Sequence, residues 1–308
     1  MRTAHTRGYA FIVLAAVLWA SMGLFYRGLI GQYGLRPLTV VFFRASVAAS
    51  ALVAALGVVR RRELAVPWRH WPYFAAFGLL GVAAFYATYV YAVELVGVGI
   101  AAVLMYTAPA WVTLLSVPLF GERLDLLKAV ALCLAVAGCA LVGRVYDLGH
   151  LRVNGLGVAA GLAAGLGYAV YVFFCKGAVR RGYSAWTTLA YGLAFGALFL
   201  APMQSWDELG RALAEPGSLW RLLVLGLVLT LGAGLAFNVG LQHLPASNAS
   251  IVATIEPVIA LGLGWLLLGE QIAPGQAVGS ALILAAVLVL ERRGAAATRA
   301  SDAAPPVP

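Results

Sequence analysis

The chain is predicted to be an all-α integral membrane protein, with ten transmembrane helices arranged as two inverted five-helix repeats. Three observations carry this. Apolar residues make up 63% of the 308 positions and charged residues 11%, against about half and about a quarter in a soluble domain. The apolar residues gather in ten stretches near spanning length. The second half also repeats the first at a spacing of 148 residues.

So little polar surface cannot wrap a water-soluble fold of this length, so lipid must cover much of the exterior. The 35 glycines agree, because glycine is common in membrane helices and lets them approach closely. The net charge of +9 does not indicate nucleic acid. The basic residues sit in short runs between apolar stretches, such as Arg60, Arg61 and Arg62, then Arg180 and Arg181, then Arg292 and Arg293. That is the pattern of cytoplasmic loops. Cys133, Cys139 and Cys175 form no CxxC or Cys/His metal spacing and read as small apolar residues. No metal or other cofactor is expected.

A spanning helix needs about 20 predominantly apolar residues. Spans are expected near 9–27, 37–59, 73–92, 98–119, 126–143, 155–175, 185–202, 220–240, 247–268 and 274–291. The first lacks a small-residue cleavage site and reads as a helix of the mature chain rather than a signal peptide. With the N-terminus inside, 14 of the 21 Lys and Arg residues fall on the cytoplasmic side, six fall outside and Arg44 lies within a span. This bias places both termini in the cytoplasm, in a multi-pass protein of the cell inner membrane. The Ala/Pro-rich tail, 293–308, is expected to be disordered.

The repeat aligns 8–144 with 154–292. Leu14-Ala15-Ala16 falls on Leu162-Ala163-Ala164, Gly78 on Gly226, Pro109 on Pro257, and Gly121-Glu122 on Gly269-Glu270. Matches among Ala and Leu are cheap in this composition, whereas the Pro and Gly-Glu register is not. Five spans per half is odd, so the second half enters the membrane in the opposite sense. That is the plan of many secondary transporters, with a site near the midplane between the halves.

At this point the sequence resembles the drug/metabolite transporter superfamily, in its EamA branch, over residues 8 to 292. The resemblance rests on Leu18-Trp19-Ala20-Ser21 in span one and on Phe43-Arg44-Ala45 after Pro37. It rests also on Ala108-Pro109 and Glu256-Pro257 leading to Gly121-Glu122 and Gly269-Glu270, and on Gln276 and Gly279. It implies ten helices, cytoplasmic termini, a central cavity, and export of amino acids, other small metabolites or toxic compounds. The Gly/Ala-rich run from Asn154 to Gly167 departs from the pattern and suggests a wider or more mobile wall at span six.

Candidate site residues follow from charges and aromatics placed inside spans. Arg44 lies seven residues beyond Pro37, where an unpaired charge is expensive and faces a cavity or a partner. It reads either as a carboxylate-binding group or gate, or as a structural Arg that snorkels. Glu256 lies before Pro257, where a broken helix is tolerated if it lines a cavity. It reads either as an amine- or proton-binding group or as a carboxylate paired in the bundle. Pro109 and Pro257 are the expected hinges.

Trp19, Tyr86, Tyr89, Tyr106, Tyr168 and Tyr171 are cavity-lining candidates suited to an amphipathic substrate, against a plain packing role. Asn238 and Asn248 add polar candidates. Glu122, Glu270 and Glu94 read as interfacial anchors, Trp68, Trp71, Trp206 and Trp220 as belt residues, and His5 and His243 as loop or terminal residues. Gly161 to Gly167 resembles a nucleotide motif in text only, since no strand precedes it.

The leading expectation is a non-enzymatic carrier of amino acids or similar small amphipathic metabolites, partnered by the bilayer and a small-molecule substrate. The alternatives are a transporter of other metabolites or drugs, a lipid flippase or structural subunit, and a lipid-acting enzyme. The last lacks a clustered polar catalytic set. Ala131, Ala135 and Gly138 offer a face for helix packing or for a homodimer.

Overall fold

The computed structural model describes residues 2–146 and 154–303. The expected loop residues 147–153 and the tail residues 304–308 lie outside the described residues. Among the described residues, nine helices are long and apolar enough to cross a membrane. They are α1 (Thr6–Gly31), α2 (Pro37–Val59), α3 (Trp68–Val96), α4 (Val98–Phe120), α6 (Gly155–Arg180), α7 (Ala185–Met203), α8 (Pro216–His243), α9 (Ala246–Leu268) and α10 (Pro274–Arg292). Between α4 and α6 lies α5 (Leu126–Val142), apolar but only 17 residues long. At 1.5 Å per residue it reaches about 26 Å, slightly short of a hydrocarbon core about 30 Å thick. Among the described residues there are no strands. The helix of α10 runs on to Ala303, into the segment expected to be a disordered tail.

The helix ends follow from local chemistry. Asp125, Asn154 and Ser184 cap α5, α6 and α7, each accepting a backbone N–H of the first turn through its side chain, as N-cap residues do. Gly121 and Gly269 close α4 and α9 with φ of 67° each, a left-handed conformation that glycine adopts without a Cβ clash. Between the expected spans 185–202 and 220–240 lies a short amphipathic helix, Trp206–Ala214. Its buried Glu208 accepts the Arg36 backbone N–H at 2.5 Å and Nε at 2.6 Å.

The 148-residue spacing reappears in irregular backbone. A π-helical stretch interrupts α3 at Phe77–Ala84 and α8 at Leu225–Thr230. α4 breaks at Tyr106–Thr107 and α9 at Thr254–Ile255. The halves are interleaved: α1 packs on α8 and α9, α2 on α7 and α8, α3 on α6 and α7, α4 on α6 and α9, and α5 on α10.

Glycines set close helix crossings. A Cβ on Gly78 would meet Phe195 Cβ at 2.3 Å and the Gly196 backbone nitrogen at 2.6 Å. A Cβ on Gly226 would meet Val47 Cβ at 2.8 Å. Both members of the two pairs, 78 with 226 and 47 with 195, are 148 apart, so one crossing is used twice between opposite halves.

Two expectations are resolved by packing. The Gly-rich start of α6 is a contact face, not a wide or mobile wall. A Cβ on Gly157, Gly161 or Gly165 would strike Val96, Leu104 or Thr107, each at 2.6 Å. The small face of α5 is covered by α10, with Gly138 against the Gly279 carbonyl and Ile283, so it serves helix packing within the chain. Of the cysteines, Cys139 and Cys175 are buried as expected, and Cys133 is exposed.

Two predictions follow from these contacts. Gly78→Val forces a backbone collision that no flexible side chain can relieve. It should cost about 1–3 kcal/mol, read as a lower midpoint when detergent-solubilised protein is heated and followed by fluorescence size-exclusion. Gly23→Ala, with nothing within 4 Å of its Cβ position, should leave the midpoint unchanged. The second concerns Glu208, whose burial alone would raise its pKa. The Arg36 N–H and guanidinium outweigh burial and hold it below the ordinary 4.5. Its contribution to stability is therefore full above about pH 4.5 and falls as pH drops through the depressed value. Glu208→Gln should lower the midpoint at pH 7 and flatten its decline in acid.

Candidate functional site

Arg44 is buried, at 8% exposure, so it does not snorkel to the interface. Its Nη1 donates to Met22 Sδ at 2.8 Å, and its guanidinium sits 4.3 Å from the Tyr86 ring centroid. Nε has no partner. The α2 backbone is pressed against α8 here, because Gly226 lets the Arg44 carbonyl approach. The repeat position of Arg44 is Gly192, so only one half carries this cation.

Glu256 opens the second segment of α9, Glu256–Leu268, with Pro257 in its first turn. Pro109 likewise stands in the first turn of the second segment of α4, Ala108–Phe120. The prolines thus begin half-helices, and the breaks themselves lie just upstream. A carboxylate at position 256 faces the positive pole of its own half-helix. Ala108, the repeat partner of Glu256, is apolar and fully buried. Glu256 keeps partial solvent access and lies near enough to Tyr106 to interact with it electrostatically. It is also near enough to Arg44, Tyr89 and Tyr168 to interact with each through space. No ion pair within 4 Å joins Arg44 and Glu256.

An aromatic wall connects these charges. Trp19 of α1 meets Tyr168 of α6 edge-on at 6.2 Å and Phe237 of α8 at 5.2 Å. Tyr168 and Tyr171 stack at 6.4 Å, and both touch Phe237. Phe85 links Tyr168 to Tyr86, at 5.8 and 5.1 Å, and Tyr86 carries Arg44. Trp19, Tyr86 and Tyr89 retain partial exposure, whereas Tyr106, Tyr168 and Tyr171 are buried.

Sequence reasoning missed Met22, Tyr26, Phe85 and Phe237. Met22 and Tyr26 lie three and seven residues beyond Trp19, on the same helix face, and Tyr26 interacts electrostatically with Arg44 and Tyr86. That periodicity was an available signal. Phe85 and Phe237 carried none, since phenylalanines are common throughout the spans.

Other candidates fall elsewhere. Asn238, fully buried, donates to the Gly234 carbonyl at 2.9 Å and to Tyr171 at 3.5 Å, which places it behind the wall. Asn248 sits with Tyr9, whose hydroxyl donates to the Leu290 carbonyl, away from Arg44. Glu122 accepts the Ala246 N–H at 2.7 Å and also the Ser247 hydroxyl. Glu270 pairs with Arg27 at 3.1 Å. Glu94 and Trp68, Trp71, Trp206 and Trp220 are exposed, as interfacial residues are. A cleft lined by Arg62, Glu63, Tyr183 and Ser184 is a loop joint. The Ser184 hydroxyl, first, and that of Thr187 donate to Glu63 and hold its carboxyl below the ordinary range.

Comparison with known proteins accords with this architecture. A transporter of Archaeoglobus fulgidus with no assigned substrate is 33% identical across 92% of this chain and 96% of its own length. A probable terminal-alkyne amino-acid exporter of Streptantibioticus cattleyicolor is 28% identical across 92% of each chain. A crystal structure shares the fold with a TM-score of 0.74 at 20% identity, covering 94% of this chain and 98% of the other. The EamA-like transporter profile matches twice, over residues 6–144 and 155–292. With both copies accounting for all ten apolar helices and for the duplicated breaks, this chain belongs to the EamA-like transporter family.

Proposed function

We propose that the chain is a secondary transporter moving amino acids or similar small amphipathic metabolites across the inner membrane by alternating access. All ten apolar helices span the bilayer, α5 included. The halves are inverted, both termini are cytoplasmic, and the two halves rearrange around a central site with the broken helices α4 and α9 as hinges. The observation that carries this reading is a buried Arg44 with no carboxylate partner within 4 Å, its guanidinium on the Tyr86 ring of a wall that runs on to Tyr168 and Trp19.

A cation at the centre of a spanning helix costs about 2.5–3.5 kcal/mol on insertion scales. A desolvated cation–π contact returns about 2 kcal/mol, and the Met22 sulfur is a weak acceptor. Arg44 is therefore under-satisfied, as suits a group reserved for a substrate carboxylate. Glu256 is the matching acceptor for an ammonium group or a proton. Trp19, Tyr168 and Phe237 supply apolar surface for a side chain, and the tyrosine hydroxyls supply polar contacts. The amino-acid exporter among the relatives supports the substrate class.

The test is uptake of a labelled amino-acid panel into proteoliposomes, with and without a pH gradient. Saturable uptake is expected. Arg44→Ala should reduce it about 10- to 100-fold, the worth of one hydrogen bond to a charged group. Arg44→Lys should recover part of it, since an ammonium lacks the planar fork. Glu256→Gln should abolish any dependence on the pH gradient. Normal uptake by folded Arg44→Ala would remove Arg44 from the site. Uptake of no panel member by folded wild-type protein would direct the search to other metabolites.

A further inference from the structure

The two broken helices are alike in local shape and opposite in burial. All eight residues of Ala246–Ala253, the first segment of α9, are buried. Of the equivalent Val98–Met105 in α4, only Ala101 is. The first segment of α9 packs against the second segment of α4, which closes one end of the bundle. That end bears residues 119–128, 176–180 and 241–247.

Charged side chains stitch this closed end, each opposite the helix pole that suits it. The Glu122 carboxylate receives the Ala246 N–H at 2.7 Å, the Ser247 N–H at 3.4 Å and the Ser247 hydroxyl. It therefore caps the start of α9 from the opposite half. Lys128 Nζ lies 3.4 Å from the same carboxylate. At helix C-termini the cations take over. Arg180 donates to the Leu119 and Phe120 carbonyls at 3.3 and 2.6 Å, and Lys176 to the Leu241 and Leu244 carbonyls at 2.6 and 2.7 Å.

The repeat-equivalent positions at the other end hold no such set, and there Glu208 instead accepts the Arg36 N–H and guanidinium. The repeat positions of Arg180 and Lys176 are Gln32 and Gly28. Glu270, the counterpart of Glu122, pairs with Arg27 of α1, and both side chains are largely exposed, at 49% and 63%. Within the closed seam Thr113, Ser116 and Asn248 are buried polar residues.

We infer that Glu122, with Arg180 and Lys176, forms a charge-built latch that holds this end shut, so that the protein rests open at the end opposite its termini. The inference builds on the alternating-access reading. Releasing the latch requires the Glu122 carboxylate to leave the α9 N-terminus, and its counterpart Glu270 pairs with Arg27 rather than with a helix N-terminus. The resting state is therefore set by sequence differences between the two repeats.

The test reads the seam without any substrate, so its failure is separable from a failure to transport amino acids. Cys133, Cys139 and Cys175 are replaced by Ala, and Ser116→Cys supplies the sole thiol beneath the latch. The rate of labelling by a hydrophilic maleimide is measured on purified protein. Glu122→Gln should accelerate labelling about tenfold or more, as the loss of charged hydrogen bonds implies. Glu270→Gln should leave the rate unchanged. Where Glu122→Gln does not fold, Arg180→Gln takes its place with the same expectation. An unchanged rate in the folded latch variant overturns the inference, as does an equal acceleration by Glu270→Gln.

Discussion

A helix crossing lipid cannot leave backbone N–H and C=O groups unpaired, because no water is present to receive them. Among the described residues, the breaks in α4 and α9 and the π-helical stretches of α3 and α8 answer to that constraint. α4 and α9 each break near mid-span, and both breaks stay inside the bundle. Around each one, short backbone bonds re-pair the groups that the break frees: Ala110 to Thr107 in α4 and Val258 to Ile255 in α9. Proline, which has no N–H to satisfy, stands in the first turn after each break. The π-helical stretches in α3 and α8 keep their backbone bonds while shifting the side-chain register. They contain Gly78 and Gly226, where helices from opposite halves cross closely.

The same constraint shapes the charges. Arg44 and Glu256 occupy depths at which charge is expensive, and their repeat partners are Gly192 and Ala108. Each half contributes one ionisable group to the centre, of opposite sign, and the other copy of each position is small and apolar. The two repeats thus share a scaffold and differ at these two positions, which carry the ionisable groups. Aromatic rings run from the Arg44 guanidinium through Tyr86 and Phe85 to Tyr168 and Trp19. They give a low-dielectric wall with hydroxyls at its edge, and Tyr86 receives the guanidinium on its face. An aromatic wall of this kind suits a ligand with an apolar body and charged ends.

Much of this was legible in the sequence because it depends on period and composition. Length and hydropathy marked each apolar helix, since a bilayer demands a fixed run of apolar residues. Pro109 with Pro257 and Gly121 with Gly269 marked the equivalent breaks and helix ends, since few residues tolerate those conformations. Arg44 and Glu256 stood out because charge is scarce in spans. The sequence could not tell a glycine that widens a wall from one that tightens a contact. Gly157, Gly161 and Gly165 proved to be the latter, because Val96, Leu104 and Thr107 come from segments remote in the chain.

The sequence alone therefore determined an all-helical membrane protein, its duplication, and which residues are chemically costly where they stand. These follow from local energetics, the price lipid sets on each charge and each broken backbone bond. Tertiary structure alone decided which costly residues meet. It joined Trp19, Tyr168 and Phe237 into one wall, gave Arg44 a ring and a sulfur in place of a carboxylate, and set Asn248 apart beside Tyr9. It also decided that Glu122 caps the start of α9 from the other half. Such pairings depend on the crossing of helices far apart in sequence, and helix periodicity fixes the face of a residue without fixing the neighbour that face will find.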